Sequence, residues 1–251
     1  MGCSICISSN RSVEERVLIP VEQSLGLSVF SSVEIDRTLH RYSTLSKMSE
    51  LQLKKACKNL GLDYKKMENF FLRFSDGESI KVKRLNCVGI LLGQGTEKKK
   101  ISLLFKNYDL DASLTLDCSE IETLIEDVLM VSCKIIPGYA IFLDPGDKEL
   151  IDYSSKISQV ERGLINYFTN IILENRDHVT EEEFCKAFKI DMIRLIITSS
   201  EMRLHAYDTF NRIEKPAKFI IEKIKAEKKE HQSEYIERKK NKKTRRNLSY
   251  S

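Results

Sequence analysis

Apolar residues recur three and four positions apart along most of the chain, which is the period of a helix that buries one face. The spacing predicts helices over 33–45, 49–60, 64–74 and 81–92, with short polar breaks between them. A clearer helix opens at Thr96, a good N-cap, and sets Ile101, Leu104, Phe105 and Tyr108 on one face before ending in Asp109. After a twelve-residue interval, Ile121, Leu124, Ile125, Val128 and Leu129 mark a further helix with the same period. Residues 137–155, with two Pro and two Gly, read as a linker. Beyond it the pattern recurs: Val160, Leu164, Tyr167, Phe168 and Ile171 form one stripe, and a helix beginning near Thr180 carries Phe184, Ala187 and Phe188. Residues 1–30 show no clear period and read as an anchor and flexible lead-in. The chain beyond Pro216 reads as one long, increasingly charged helix.

Composition agrees with an all-α fold. Hydrophobic residues make up 41% and charged residues 31% of 251 positions, while Gly and Pro together number only 14. No run approaches the roughly 20 apolar residues of a membrane span, and no secretory signal opens the chain, so the expected compartment is the cytoplasm. Seven cysteines, an odd number, read there as reduced thiols. Cys3 and Cys6 form a C-x-x-C pair without the second pair that zinc requires or the βαβ context of a redox site. The net charge of +4 comes from the tail: seven of the nine residues from Arg238 to Arg246 are basic, and the rest of the chain carries −3. A mildly acidic body argues against a nucleic-acid-binding domain.

The interval between the Thr96 helix and its successor carries the chemistry. It reads Asp109, Leu110, Asp111, Ala112, Ser113, Leu114, Thr115, Leu116, Asp117, Cys118, Ser119, Glu120. A cation of calcium's size takes six to eight oxygens, and a twelve-residue EF loop supplies them from positions 1, 3, 5, 7, 9 and 12. Those positions are Asp109, Asp111, Ser113, the carbonyl of Thr115, Asp117 and Glu120, the last able to give two oxygens. Leu116 suits position 8, where paired loops join through a short β-bridge. Leu114 departs from the motif, which wants Gly at position 6 for a turn with positive φ; holding a branched residue there costs about 1–2 kcal/mol, or about tenfold in affinity. The alternative is a degenerate loop that keeps the fold and binds nothing.

Aligning Val179 with Leu116 repeats the unit. Glu183 then falls at position 12, Phe184 on Ile121, and Phe168 and Ile171 on Phe105 and Tyr108. Ile172 at position 1 and Arg176 at position 5 cannot be ligands, so this loop is expected to be empty. Upstream, the run Ser75–Ile80 has the flavour of a loop but the wrong length, and 43–49 holds no ligand set. Four helix-loop-helix units result, mostly degenerate: a pair over 31–94, a pair over 95–200, then a helical extension with a basic tail over 201–251.

The run from Gly95 to Lys100 followed by Leu104, Phe105, Lys106, Asn107, Tyr108 and Asp109 resembles the approach to the third hand in the EF-hand calcium-sensor superfamily, the four-hand proteins of the recoverin, calcineurin B and calaxin kind. The resemblance runs from about Phe70 to Phe188. It implies paired hands that open on calcium to expose a groove for a target helix, while the loop residues themselves leave one site, for Ca²⁺ with Mg²⁺ as a competitor. Against it stand Leu114 and a linker between the last two hands that is longer than usual for the family.

The chain begins Met1-Gly2-Cys3-Ser4-Ile5-Cys6. Gly2 can accept myristate once Met1 is removed, and Cys3 and Cys6 can be palmitoylated, a start that resembles the dual-acylation signal of Src-family kinases. One myristoyl chain holds a protein only marginally, with a binding constant of about 10⁴ M⁻¹, so Cys3 supplies the durable second signal. The alternative is a chance Gly and two cysteines at a disordered terminus. The 238–246 run reads equally as a contact to anionic lipid, a nuclear-localisation signal or a solvated end. Gly89, Gly93 and Gly95 miss the spacing of any phosphate loop, and His40, His178, His205 and His231 have no nucleophile motif nearby, so no enzyme is expected. Two functions remain: a membrane-anchored calcium-binding regulator of a protein target, or a lipid-anchored adaptor of the same fold without metal dependence.

Overall fold

The computed structural model describes residues 12–77 and 79–214. The chain divides into a unit that ends at Tyr207 and a second that begins at Asp208, whose described part, 208–214, is helical. Among the described residues the secondary structure is overwhelmingly helical, as the apolar period requires.

In the first unit α1 spans Val13–Ser24, α2 Ser32–Tyr42, α3 Glu50–Leu60, α4 Tyr64–Phe71, α5 Val82–Leu92, α6 Glu97–Tyr108 and α7 Cys118–Leu129. Then follow α8, Ile136–Leu143; α9, Lys148–Gln159; α10, Glu161–Leu173; α11, Glu181–Ala187; and the short α12, Asp191–Arg194. Residues 199–207, which end this unit, are again helical. The helix starts follow capping chemistry: Ser31, Ser49, Thr96, Asp117 and Thr180 each accept a hydrogen bond from the backbone two or three residues into the helix they precede. Glu or Gln completes reciprocal capping boxes at Ser49, Asp117 and Thr180.

Short strands tie consecutive helix-loop-helix segments together. β1 (Lys47–Met48), β2 (Ser75–Asp76) and β3 (Ser79–Lys81) form a sheet in the order β1-β3-β2, with Met48 opposite Ile80. β4 (Thr115–Asp117) pairs antiparallel with β5 (His178–Thr180), with Leu116 opposite Val179. The loop before β1 is a tight hairpin in which Leu45 and Ser46 both take positive φ while Thr44 and Lys47 exchange backbone bonds. The segment from Ser75 to Lys81 is itself a hairpin through Gly77, whose φ of 72° suits a residue without a Cβ. Packing brings α2 against α3 and α5, α5 against α6 and α7, and α7 against α10, so the segments 31–94 and 95–200 lie within one unit.

Two expectations are corrected. The lead-in 1–30 contains a full helix, α1, buried at Leu18 and at Glu15. Its inner positions, 15, 18, 22 and 25, carry Glu twice, and this conceals the helical period. The 137–155 segment is not a linker. The six residues Met130–Ile135 form a π-helical stretch that joins α7 to α8 without a break, and α9 fills most of the remainder. Pro137 fits at the start of α8 because the wider turn has changed the bonding partners: Ile136 donates to the Val131 carbonyl, five residues back. Residue 137 would next donate to the Ser132 carbonyl; a proline cannot, and Arg203 Nη1 does so instead at 3.4 Å. The actual break is the short turn of Asp144, Pro145, Gly146 and Asp147.

Gly2, Cys3, Cys6, the helix expected beyond Pro216 and the basic run 238–246 lie outside the described residues. No helix among the described residues is long and apolar enough to cross a membrane.

Candidate metal-binding loop

The loop begins where α6 delivers it. Ile101, Leu104, Phe105 and Tyr108 are all buried, so the helix face is fixed and its last residue is held at both ends of its ring. The Tyr108 hydroxyl donates to Asp127 Oδ2 at 2.9 Å, and Asp127 pairs with Arg84 of α5 at 2.6 Å. Burial first, then the neighbouring Cys87 and Asp127, pushes the phenol well above its ordinary value, so it stays a donor. Beside it Asn107 donates to Asp36 at 2.8 Å and accepts from Asn86 at 3.0 Å, with His40 Nε2 also 3.0 Å from its Oδ1. The two residues before the loop are thereby fastened to α2, α5 and α7.

Asp109 then folds the loop around its own carboxylate. Oδ1 accepts from Ser113 N at 2.9 Å and Oδ2 from Leu114 N at 3.1 Å. Asp111 Oδ1 accepts from Ser113 N at 3.0 Å. Hydrogen bonds from Ser113, hydroxyl before backbone, hold the Asp111 carboxyl below its ordinary value. The Ser113 hydroxyl donates to the Thr115 carbonyl at 3.1 Å. Leu114 takes a φ of 63°, the positive value that position 6 demands, with its side chain 75% exposed. Ala112 also takes a positive φ, 56°.

At the far end Asp117 caps α7, accepting from Glu120 N at 2.8 Å. Glu120 turns back across the loop: Oε1 accepts from Leu110 N at 2.8 Å and Oε2 from Asp117 N at 3.2 Å. It is 9% exposed, which keeps the carboxylate against the loop rather than in solvent. Asp109, Asp111 and Glu120 each bring one oxygen within 4.8 Å of the other two. Of the six anticipated ligands these three carboxylates converge, while Ser113, Thr115 and Asp117 are bonded among the loop's own groups.

The second loop behaves otherwise. Ile172, at its first position, is buried in the core. Glu174 and Asn175 turn the chain with φ of 49° and 66°. Arg176 pairs with Glu174 and reaches Glu183 at 3.5 Å, and Glu183 Oε2 accepts from Thr180 N at 2.9 Å. Leu116 and Val179 are fully buried between the two loops, and Phe105 packs on Phe184 with ring centroids 5.7 Å apart.

A second polar centre is not legible as one in the sequence. Arg203, fully buried, bonds Glu15 through Nε and Nη2 at 2.6 Å each and Glu22 through Nη1 at 2.6 Å; Tyr153 donates to Glu15 at 3.0 Å. The available signal was Glu15 and Glu22 seven residues apart, on one helix face with Leu18 and Leu25. No family model matches the chain, and a search of curated proteins returned no match.

Proposed function

We propose that the chain is a calcium-binding regulatory protein of the EF-hand type, anchored to a cytoplasmic membrane face by acyl groups on Gly2, Cys3 and Cys6 and acting on a protein target. The observation that carries this reading is the convergence of Asp109, Asp111 and Glu120 within 4.8 Å in a loop that joins α6 to α7. Three carboxylates held this close repel one another unless a cation lies between them. The donor set of Asp109, Asp111, Ser113, the Thr115 carbonyl, Asp117 and Glu120 is all oxygen, which fits Ca²⁺ and offers none of the nitrogen or sulfur that zinc prefers. Mg²⁺ competes less well, because it demands a tight octahedron and gives up its waters reluctantly. A bound ion supplies a tie between the end of α6 and the start of α7, and a change in that tie is what the regulatory reading requires. The proposal includes no catalytic step and no nucleic-acid partner.

The metal-independent adaptor keeps one observation in its favour: the loop is already closed by bonds from Ser113, Leu114, Leu110 and Asp117 to carboxylates. Calcium calorimetry on the full-length protein separates the two. One ion per chain, lost in Glu120→Gln, supports the regulator; no binding heat leaves the adaptor.

A further inference from the structure

We propose that Arg176 is a built-in cation that stands in for a metal ion in the second loop, so that β5 is ordered before any ion binds and the first loop binds a single ion without cooperativity. The proposal rests on the reading of the first loop as a metal site, and it concerns how that site's partner strand is held.

In the first loop, the two sides to be tied are the Asp109 and Asp111 carboxylates, after α6, and Glu120, three residues into α7. In the second loop the corresponding sides are Glu174, just after α10, and Glu183, three residues into α11. The Arg176 guanidinium lies between them and pairs with both. A planar cation with five donors can serve two carboxylates at once, which a Lys serves only as a point charge. The result is carried to the first loop by the strand pair, in which Val179 lies opposite Leu116 and Thr180 opposite Thr115. Thr115 supplies the carbonyl ligand of the first loop, so disorder in β5 loosens a ligand of the metal site. Ile172 at the first position, buried and without a side-chain oxygen, keeps a second metal ion from competing with the guanidinium.

The arginine and both of its partners are partly exposed, so the tie is of surface-pair strength and is screened by salt. Its loss is therefore expected to change local order by a few-fold rather than unfold the protein.

The test uses the full chain in chelator, with hydrogen exchange followed by mass spectrometry in peptides covering 113–119 and 176–182. Arg176→Gln is expected to raise exchange in both peptides by about threefold, the size of two exposed ion pairs. One molar salt does the same to the wild type and adds nothing to the variant, while Arg176→Lys, which keeps the charge but not the planar fork, restores only part of the protection. Unchanged exchange in Arg176→Gln overturns the proposal, as does Arg176→Lys behaving like Gln. In a calcium titration the wild type binds one ion with a Hill coefficient of one, and Arg176→Gln binds it about threefold more weakly. Two ions bound with positive cooperativity also overturn the proposal. Raised exchange in a protein that binds no calcium supports the role of Arg176 and refutes the metal reading of the first loop.

Discussion

Leu114→Gly separates strain that exists in the metal-free loop from strain that appears only on binding. Leu114 already holds a φ of 63°, with its amide bonded to Asp109 at 3.1 Å and its side chain three-quarters exposed. The left-handed conformation costs a branched residue about 1–2 kcal/mol, and the exposed side chain offers little packing in return. Glycine removes that cost but gives the unfolded chain about 0.4–1 kcal/mol more backbone freedom. The net is a gain near 1 kcal/mol, which raises Tm by about 2–4 °C for a chain of this size. Because the strain is present in the metal-free protein, calcium affinity is expected to stay within about twofold, not to improve by the tenfold that the sequence motif alone implies. Thermal unfolding in chelator, followed by circular dichroism, and calorimetric titration of the same samples measure both quantities. A Tm that stays the same or falls while calcium tightens tenfold refutes the reasoning, since the strain would then arise only on binding.

Three other outcomes follow from the geometry. Arg203→Ala strands Glu15 as a buried, unpaired charge and is expected to cost about 3–5 kcal/mol, read as a lower urea midpoint that adding Glu15→Gln partly restores; an unchanged midpoint contradicts the buried network. The hydrogen bond to Asp36 leads the causes that raise His40 above its ordinary 6.5. The stability it contributes is complete below that value and lost as pH rises through the higher folded one, so metal-free Tm falls with pH in that window, and His40→Asn flattens the wild-type slope. Gly2→Ala is expected to shift the protein from the membrane to the soluble fraction of cells, because both acylation steps depend on the first; unchanged partition removes the anchor.

How much the sequence discloses depends on where polar residues face. α6 and α7 are legible because their inner positions, from Ile101 to Tyr108 and from Ile121 to Leu129, are apolar at helical spacing, with Asp127 the exception. α1 is hidden because its inner face carries Glu15 and Glu22, whose partner Arg203 lies far along the chain. α8 is hidden because Pro137 signals a break, and only the π-helical stretch before it shows how the helix continues. α9 does carry a period, Leu150, Tyr153 and Ile157, but Pro145 and Gly146 nearby outweigh so short a stripe. The candidate ligands are legible because they are local: twelve consecutive residues fix their spacing. The Arg176 contacts are not, since a ligand pattern marks arginine only as an absent oxygen and does not say which carboxylates its long side chain reaches.

A calcium titration of the full-length protein by calorimetry, beside Glu120→Gln, shows whether the carboxylates of the first loop hold an ion. Glu120 bonds the loop at both ends, to Leu110 and to Asp117, and stands at the position that gives an ion two oxygens. The expected result is one calcium ion per wild-type chain and no measurable binding in the variant, which keeps its helix content in chelator although Gln can accept only one of the two backbone bonds that Glu120 holds. A wild type that releases no heat with calcium, or a Glu120→Gln variant that binds as well as the wild type, contradicts the account.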